Sequence, residues 1–515
     1  MSTTVPVPLT ANRQSQSAPT ANRNRAERTF RAIMIVFASI ALLGILGHLG
    51  LLLWAQNGFT GGECVVAAHA SMLVHEGTLY YHLNHYPYTV AAYTPVFYLL
   101  DAGLQKAGLP VYTAGRVISF AAALGIVALC CYLALLYTKD RYCAAITALL
   151  CASSSLLFFW GSLGQVDVLA LFWALSAFYF YSRYALLGDN TLLWAGLCAL
   201  LAFFTKQTFL ACPAAICLLL FFRRRRMTAL KFGWSCLAIA AIVVFSLDAA
   251  LGGRFLADTV RANIAPYSVD KLLSHLRFVL LVNAPLLLIV ALGGRQAIRK
   301  TGPAPFVYLA LGALVFLASA PKTFSDLNYQ LEFTVLLILC AGLSLYALDF
   351  FPLTFSRARN WATLLQLPLG VFLIVNYRTT GPTLLMRFAN ERQSRASLAE
   401  VQSSLADGGR VLSADYNSVV RLRGRLEVEM AFYNLLVSLG AVDPEPLRRD
   451  IAASAFSSII LMEDVRVAHP PLAVEVSTLP APQLEEIRKR YTLVKHIPGP
   501  VLDGLYVYKP RLASR

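Results

Sequence analysis

Long apolar runs recur from end to end of this chain, and they restrict its fold more than any motif does. A helix needs about 20 apolar residues to cross the hydrocarbon layer of a bilayer, and within that layer its backbone polar groups must be satisfied by the helix itself. On this criterion about eleven crossings are expected, at 32–54, 113–137, 142–160, 166–184, 191–205, 208–222, 230–250, 276–293, 304–320, 332–351 and 360–377. The fifth and sixth are short and read equally well as half-buried or re-entrant. Composition agrees: 57% of the residues are hydrophobic and 14% are charged, where a soluble domain carries about a quarter charged. The predicted class is an all-α polytopic membrane protein. Its first run is too long for a signal-peptide core and lacks a small-residue cleavage pattern, so it is expected to persist as a helix.

The formal charge of +16 falls in short clusters at the ends of apolar runs, a pattern of membrane anchoring and not of a nucleic-acid surface. Residues 1–28 form a polar, basic tail too poor in apolar surface to fold. Arg23, Arg25, Arg28 and Arg31 place it in the cytoplasm, because cytoplasmic flanks are rich in Lys and Arg. Alternate loops then carry Lys139 and Arg141, Arg183, Arg223 to Arg226 with Lys231, Arg295 with Arg299 and Lys300, and Arg357 with Arg359. The intervening loops, 55–112, 161–165, around 206, 251–275 and 321–331, are expected outside, with everything after Tyr377. Residues 29–377 read as one multi-spanning domain with a large first outer loop, 55–112. Residues 378–515 read as a small soluble α/β domain outside the cytoplasm, with strands at 410–413, 458–462, 491–497 and 504–508. Of the ten cysteines only Cys64 lies in a loop, so no disulfide framework follows. No Asn-x-Ser/Thr acceptor occurs, which fits a bacterial inner membrane.

The polar residues that break the outer side carry the chemistry. A Gly-rich turn, Gly58 to Gly62, delivers Glu63 just after the first run. At the start of a surface helix the dipole favours an ionised carboxylate, which is suited to take a proton from a hydroxyl; the plainer alternative is a helix cap. Asp167 in GSLGQVD stands where an outer turn becomes a crossing, beside Gln165, and Gly161 and Gly164 permit close backbone approach. Lys206 and Gln207 in FFTKQTF interrupt an apolar run, and Lys322 in SAPKTFSDLNYQLE lies on the same outer side. Such cations either snorkel to the interface or hold an anion, here a phosphate at the membrane surface. His69, His75, His82 and His85 show no metal-ligand spacing, so no metal site is expected. Tyr80, Tyr81, Tyr86, Tyr88, Tyr93 and Tyr98 fit an interfacial belt or a sugar-stacking surface. Nucleotide fingerprints are absent from the sequence.

Taken in order, the first-loop acid, YTP before the second crossing, GQVDVLALFWALSAFYF, LAFFTKQTFL and NYQLE resemble the C-type membrane glycosyltransferases. The resemblance is to bacterial members similar to protein O-mannosyltransferases and the aminoarabinose transferase of lipid A, over roughly residues 30 to 350. It implies transfer of a sugar, a hexose such as mannose, from a polyprenyl-phosphate carrier to an extracytoplasmic acceptor, with inversion; no obligatory metal or other cofactor is expected, because the first-loop acid departs from the family's pattern. It also implies that Glu63 is the general base or the group orienting the acceptor, that Asp167 and Gln165 line the pocket, and that Lys206 and Lys322 hold the carrier phosphate. Gln207, Asn328, Tyr329, Tyr93 and His69 complete the expected binding set. The family often has Asp, or an acidic pair, where this chain has Gly62, Glu63 and Cys64. Two other classes compete with this reading. A transporter or flippase of lipid-linked sugars would need a polar path across the bilayer, and a membrane-anchored binding protein would act through its soluble tail.

Overall fold

A helix that is apolar all round belongs in lipid or in a protein core, and the computed structural model shows helices of both kinds. It describes residues 18–348, 359–405, 408–467, 479–498 and 504–511. Helix α1 (Ala18–Trp54) is followed by α2 (Gly61–Glu76), α3 (Val96–Lys106), α4 (Val111–Thr138), α5 (Arg141–Ala152), α6 (Ser155–Gly161), α7 (Val166–Leu187), α8 (Leu192–Thr205), α9 (Ala211–Phe222) and α10 (Arg226–Ala250). After a short α11 (Arg254–Leu256) and a π-turn, Ala257–Arg261, come α12 (Val269–Thr301), α13 (Ala304–Ser319), α14 (Leu331–Ala347) and α15 (Arg359–Ser404).

Five of the described helical segments are long and apolar enough to cross a membrane: Ile35–Trp54, Val111–Thr138, Arg226–Ala250, Val269–Thr301 and Leu327–Ala347. The α5–α6 pair, bent by 59°, brings the number to six if it counts as one span. The runs expected to cross fall on helices, and at most six of the described helical segments meet the length and composition for a crossing on their own. Polar breaks account for part of the gap. At the α5–α6 bend Ser154 caps α6 through Leu157 N, and Asn376 Oδ1 accepts from both Ser155 N and Ser155 Oγ. Helices α8, α9 and α13 are short apolar helices, and the end of the run expected at 332–351 enters residues outside the described set.

Helix α14 is the hub, packed by α12, α13, α5 and α4, with 94% of its apolar window buried, whereas only 6% of the α10 window is covered. Apolar surface has no water to escape in lipid, so small residues set the approach of helices. A Cβ on Gly342 would lie 2.0 Å from Thr147 Oγ1, and one on Gly293 would lie 2.8 Å from Ser344 O. Arg223 Nη1 donates to Ala185 O (2.7 Å), Arg225 Nη1 to Tyr184 OH (2.6 Å) and Lys300 Nζ to Ala347 O (2.9 Å). These are loops assigned above to one side. The loops assigned to the other side gather around the site described next.

Helix α15 runs unbroken through 377 and 378, where the composition changes, and leads into a small sheet. Strands β1 (Val411–Ser413), β2 (Ser458–Leu461), β3 (Tyr491–Ile497) and β4 (Leu505–Pro510) stand in the order β1-β2-β4-β3, with β1 and β2 parallel and the other pairs antiparallel. Tyr86 and Tyr88 pack on this region, with Tyr88 against Tyr433 (5.2 Å between ring centres). Those two tyrosines are thus part of a protein core and not of an interfacial belt.

Candidate active site

Thr60 caps α2 by accepting from Glu63 N at 3.2 Å, which fixes Glu63 in the first turn. The carboxylate is fully buried and fully used. Its Oε1 accepts from Arg116 Nε (2.7 Å) and Gly164 N (2.9 Å), and its Oε2 from Phe59 N (2.7 Å) and Arg116 Nη2 (2.9 Å). Burial opposes ionisation, but the Arg116 charge and these hydrogen bonds hold the Glu63 carboxyl below its ordinary value. Arg116, on α4, also donates to Ala55 O (3.1 Å) and Asn57 O (2.6 Å), with its guanidinium 4.2 Å from the Phe59 ring centre. The rest of the 56–59 turn is closed by the C-terminal region. Glu391 accepts from Gln56 N (3.0 Å) and Asn57 N (3.1 Å), and Asn417 Oδ1 from Gly58 N (2.6 Å). Four successive amides thus end on side-chain oxygens brought from three places in the sequence.

Gly164, one of the donors to Glu63, begins the turn that presents the second acid. Gln165 is tied to α4 through Ser119, whose Oγ donates to Gln165 O at 3.0 Å, and a Cβ on Gly62 would lie 2.9 Å from Gln165 Nε2. Asp167 follows in the first turn of α7. It is buried, and its Oδ1 accepts from Lys206 Nζ at 2.5 Å, while its Oδ2 has no partner among the described residues. Lys206 ends α8 with its ammonium 4.3 Å from the ring centre of Tyr329 and 5.4 Å from that of Tyr93. Burial works against that charge, yet Asp167 and the two phenols keep the Lys206 pKa above the ordinary lysine value. Lys322 Nζ donates to Asn263 Oδ1 at 3.2 Å, and burial together with the charge of Lys206 lowers its pKa to about 8. Asn263 Nδ2 and Gln207 Nε2 both donate to Ala92 O, at 2.7 and 2.9 Å. Buried oxygens of Gln207 (Oε1) and Asn328 (Oδ1) also lack partners among the described residues, as Asp167 Oδ2 does.

No family model matches the sequence, and no curated protein matches it. Solved structures do. ArnT from Cupriavidus metallidurans bound to undecaprenyl phosphate superposes with a TM-score of 0.64 at 12% identity, over 94% of this chain and 98% of that one. The same protein in the apo state gives 0.62 at 13% identity, over 93% and 98%. The fold is similar to that of ArnT. An oligosaccharyltransferase from Archaeoglobus fulgidus aligns more loosely, at a TM-score of 0.48 and 12% identity, over 84% of this chain and 70% of that one.

With the ArnT-like fold as frame, the residues singled out in the sequence fall into two groups. Asp167, Lys206, Gln207, Tyr93 and Tyr329 are brought together, and Asn328 and Lys322 lie beside them. Glu63 makes its contacts with a different set, Arg116, Phe59 and Gly164, and joins the first group through the 164–167 turn. His69 is buried behind the wall, with Nδ1 3.3 Å from Leu79 O and Nε2 2.9 Å from Thr89 Oγ1, and burial lowers its pKa to about 4, so it stays neutral. Among the described residues no group of three or more His, Cys, Asp or Glu is arranged to hold a metal. Sequence reasoning passed over Arg116, Asn263, Arg387 and Glu391. Arg116 looked like part of an apolar run; its position within a crossing was the available signal. Arg387 lies over the rings of Phe159 (4.3 Å) and Phe59 (5.1 Å) and donates to Ser162 Oγ.

Proposed function

We propose that this chain is a membrane glycosyltransferase that takes a sugar, a hexose with mannose the first to test, from a polyprenyl-phosphate carrier and places it on an extracytoplasmic glycan, lipid or protein. The observation that carries the reading is the pairing of unspent groups around Lys206. Lys206 faces Asp167, Lys322 lies near enough to Lys206 to feel its charge, and three buried oxygens, Asp167 Oδ2, Gln207 Oε1 and Asn328 Oδ1, have no donor among the described residues. An unmet buried acceptor costs about 1–3 kcal/mol, so such a pocket suits a ligand that brings both an anion and hydroxyl donors. A sugar phosphate has both.

In this reading the carrier phosphate sits between Lys206 and Lys322, whose charges offset the negative charge that grows on the leaving oxygen. The acceptor hydroxyl attacks the anomeric carbon as the bond from that carbon to the phosphate oxygen breaks. The bond pair leaves with the polyprenyl phosphate, the hydroxyl proton passes to Asp167 Oδ2, and the configuration inverts. Glu63, with all of its hydrogen-bonding directions taken, acts through Gly164 by holding the turn that carries Gln165 and Asp167. The reading further places about eleven crossings in a bacterial inner membrane, the basic N-terminus in the cytoplasm and residues 378–515 outside.

The test is transfer of radiolabelled mannose from a polyprenyl-phosphate donor by the purified protein in proteoliposomes. Product formation supports the proposal. Movement of intact donor across the bilayer without cleavage would replace it with the transporter reading. Mass spectrometry of the lipid-linked sugars that accumulate on deletion then names the donor.

A further inference from the structure

Residues 89–94 lie in neither helix nor strand, yet side chains from distant parts of the chain hold nearly every link. Thr89 Oγ1 meets His69 Nε2 (2.9 Å), Ala92 O accepts from Gln207 and Asn263, Tyr93 O accepts from Tyr80 OH (3.0 Å) and Thr94 Oγ1 donates to Phe203 O (2.8 Å). The two amides in the middle end on acids. Val90 N donates to Glu429 Oε2 and Ala91 N to Asp258 Oδ2, both at 3.2 Å. Successive amides of an extended chain point to opposite sides. One grip comes from the C-terminal region, where Glu429 N in turn donates to Tyr88 O at 2.8 Å, and the other from the π-turn after α10. Both acids are buried, Asp258 completely.

We infer that Asp258 and Glu429 are positioning residues that hold the 89–94 segment, and with it the Tyr93 ring, against Lys206, so that the C-terminal region completes the site in the membrane domain. The inference rests on the proposed function for its last step only. Each acid is an acceptor aimed at one amide of the segment, and burial raises the pKa of both, that of Glu429 to about 8.

Hydrogen–deuterium exchange of the full chain in detergent micelles reads the grip directly, and native mass spectrometry with undecaprenyl phosphate reads its consequence. In Glu429→Ala, exchange across 88–94 rises about tenfold or more while α7 is unchanged, and undecaprenyl phosphate binding weakens several-fold, in keeping with a lost buried hydrogen bond. Glu429→Gln keeps an oxygen acceptor of the same reach, so its protection stays close to that of the wild type. Unchanged exchange in Glu429→Ala overturns the inference, as does raised exchange with undecaprenyl phosphate binding intact. If the Ala variant does not fold, Glu429→Met, which fills similar space without an acceptor, takes its place, and unchanged exchange there overturns the inference. Failure of the functional reading is separable: Lys206→Met would then bind undecaprenyl phosphate as wild type does, whatever the exchange shows.

Discussion

Two buried acid–base pairs stand on either side of the 164–167 turn, and they are built to opposite plans. Glu63 and Arg116 form a closed pair: the carboxylate accepts four hydrogen bonds, and the guanidinium donates two more, to Ala55 O and Asn57 O. Asp167 and Lys206 form an open pair, with one carboxylate oxygen unengaged and the ammonium turned toward two phenol rings. Both are acids next to cations at zero or near-zero exposure. What separates them is saturation. A fully satisfied ion pair fixes geometry, while a partly satisfied one keeps capacity for a ligand at a cost to stability.

The largest effect expected from this contrast is on chemistry. Asp167→Asn should keep the fold and lower sugar transfer by about 10²–10⁴-fold, the usual worth of a general base, measured with the radiolabelled donor. A loss below tenfold would remove Asp167 from the proton transfer. Glu63→Gln should act first on stability, by about 3–5 kcal/mol, because it leaves Arg116 buried without its counter-charge. Thermal unfolding in micelles measures this, and Glu63→Gln combined with Arg116→Met should recover part of the loss. If Glu63→Gln abolishes transfer with stability intact, Glu63 belongs to the chemistry after all.

The third prediction concerns pH. Burial and the charge of Lys206 lower the Lys322 pKa to about 8, and a bound phosphate would raise that value. Undecaprenyl phosphate affinity should therefore fall as pH rises through about 8, and Lys322→Arg should move the fall to higher pH. An affinity flat to pH 10 would place the phosphate elsewhere. The buried carboxylates respond with opposite signs. Glu63, held below its ordinary value, contributes stability present above its unfolded pKa of 4.5 and lost as pH drops through the folded value. Glu429, raised to about 8, makes the fold less stable as pH climbs from 4.5 toward 8. The smallest effect is expected from Gly62→Ala. Its new methyl meets only the flexible end of Gln165, so a loss under about 1 kcal/mol and a modest change in transfer should result.

Much of the open pair was legible in the sequence. Asp167, Lys206 and Lys322 interrupt apolar runs, and a charge in an apolar run must find a partner or a ligand, so each stood out alone. The closed pair was half legible: Glu63 was visible as a lone loop acid, but its partner lay 53 positions further on, inside a predicted crossing. Nothing local in FSLDAALGGRFLADTV distinguishes Asp258 from a solvated loop acid, and Glu429 sits among surface-like charges. Their roles depend on contacts 167 and 339 residues apart, which no short-range pattern encodes.

By itself the sequence determined that this chain lies in a membrane and which residues interrupt its apolar runs. Those follow from hydropathy and charge, properties that each segment carries alone. Only the tertiary structure decided which acid is spent and which is free, because hydrogen-bond saturation depends on donors arriving from elsewhere. Arg116, Gly164 and Phe59 converge on Glu63 and leave it nothing to offer, while Asp167 receives Lys206 on one oxygen and keeps the other.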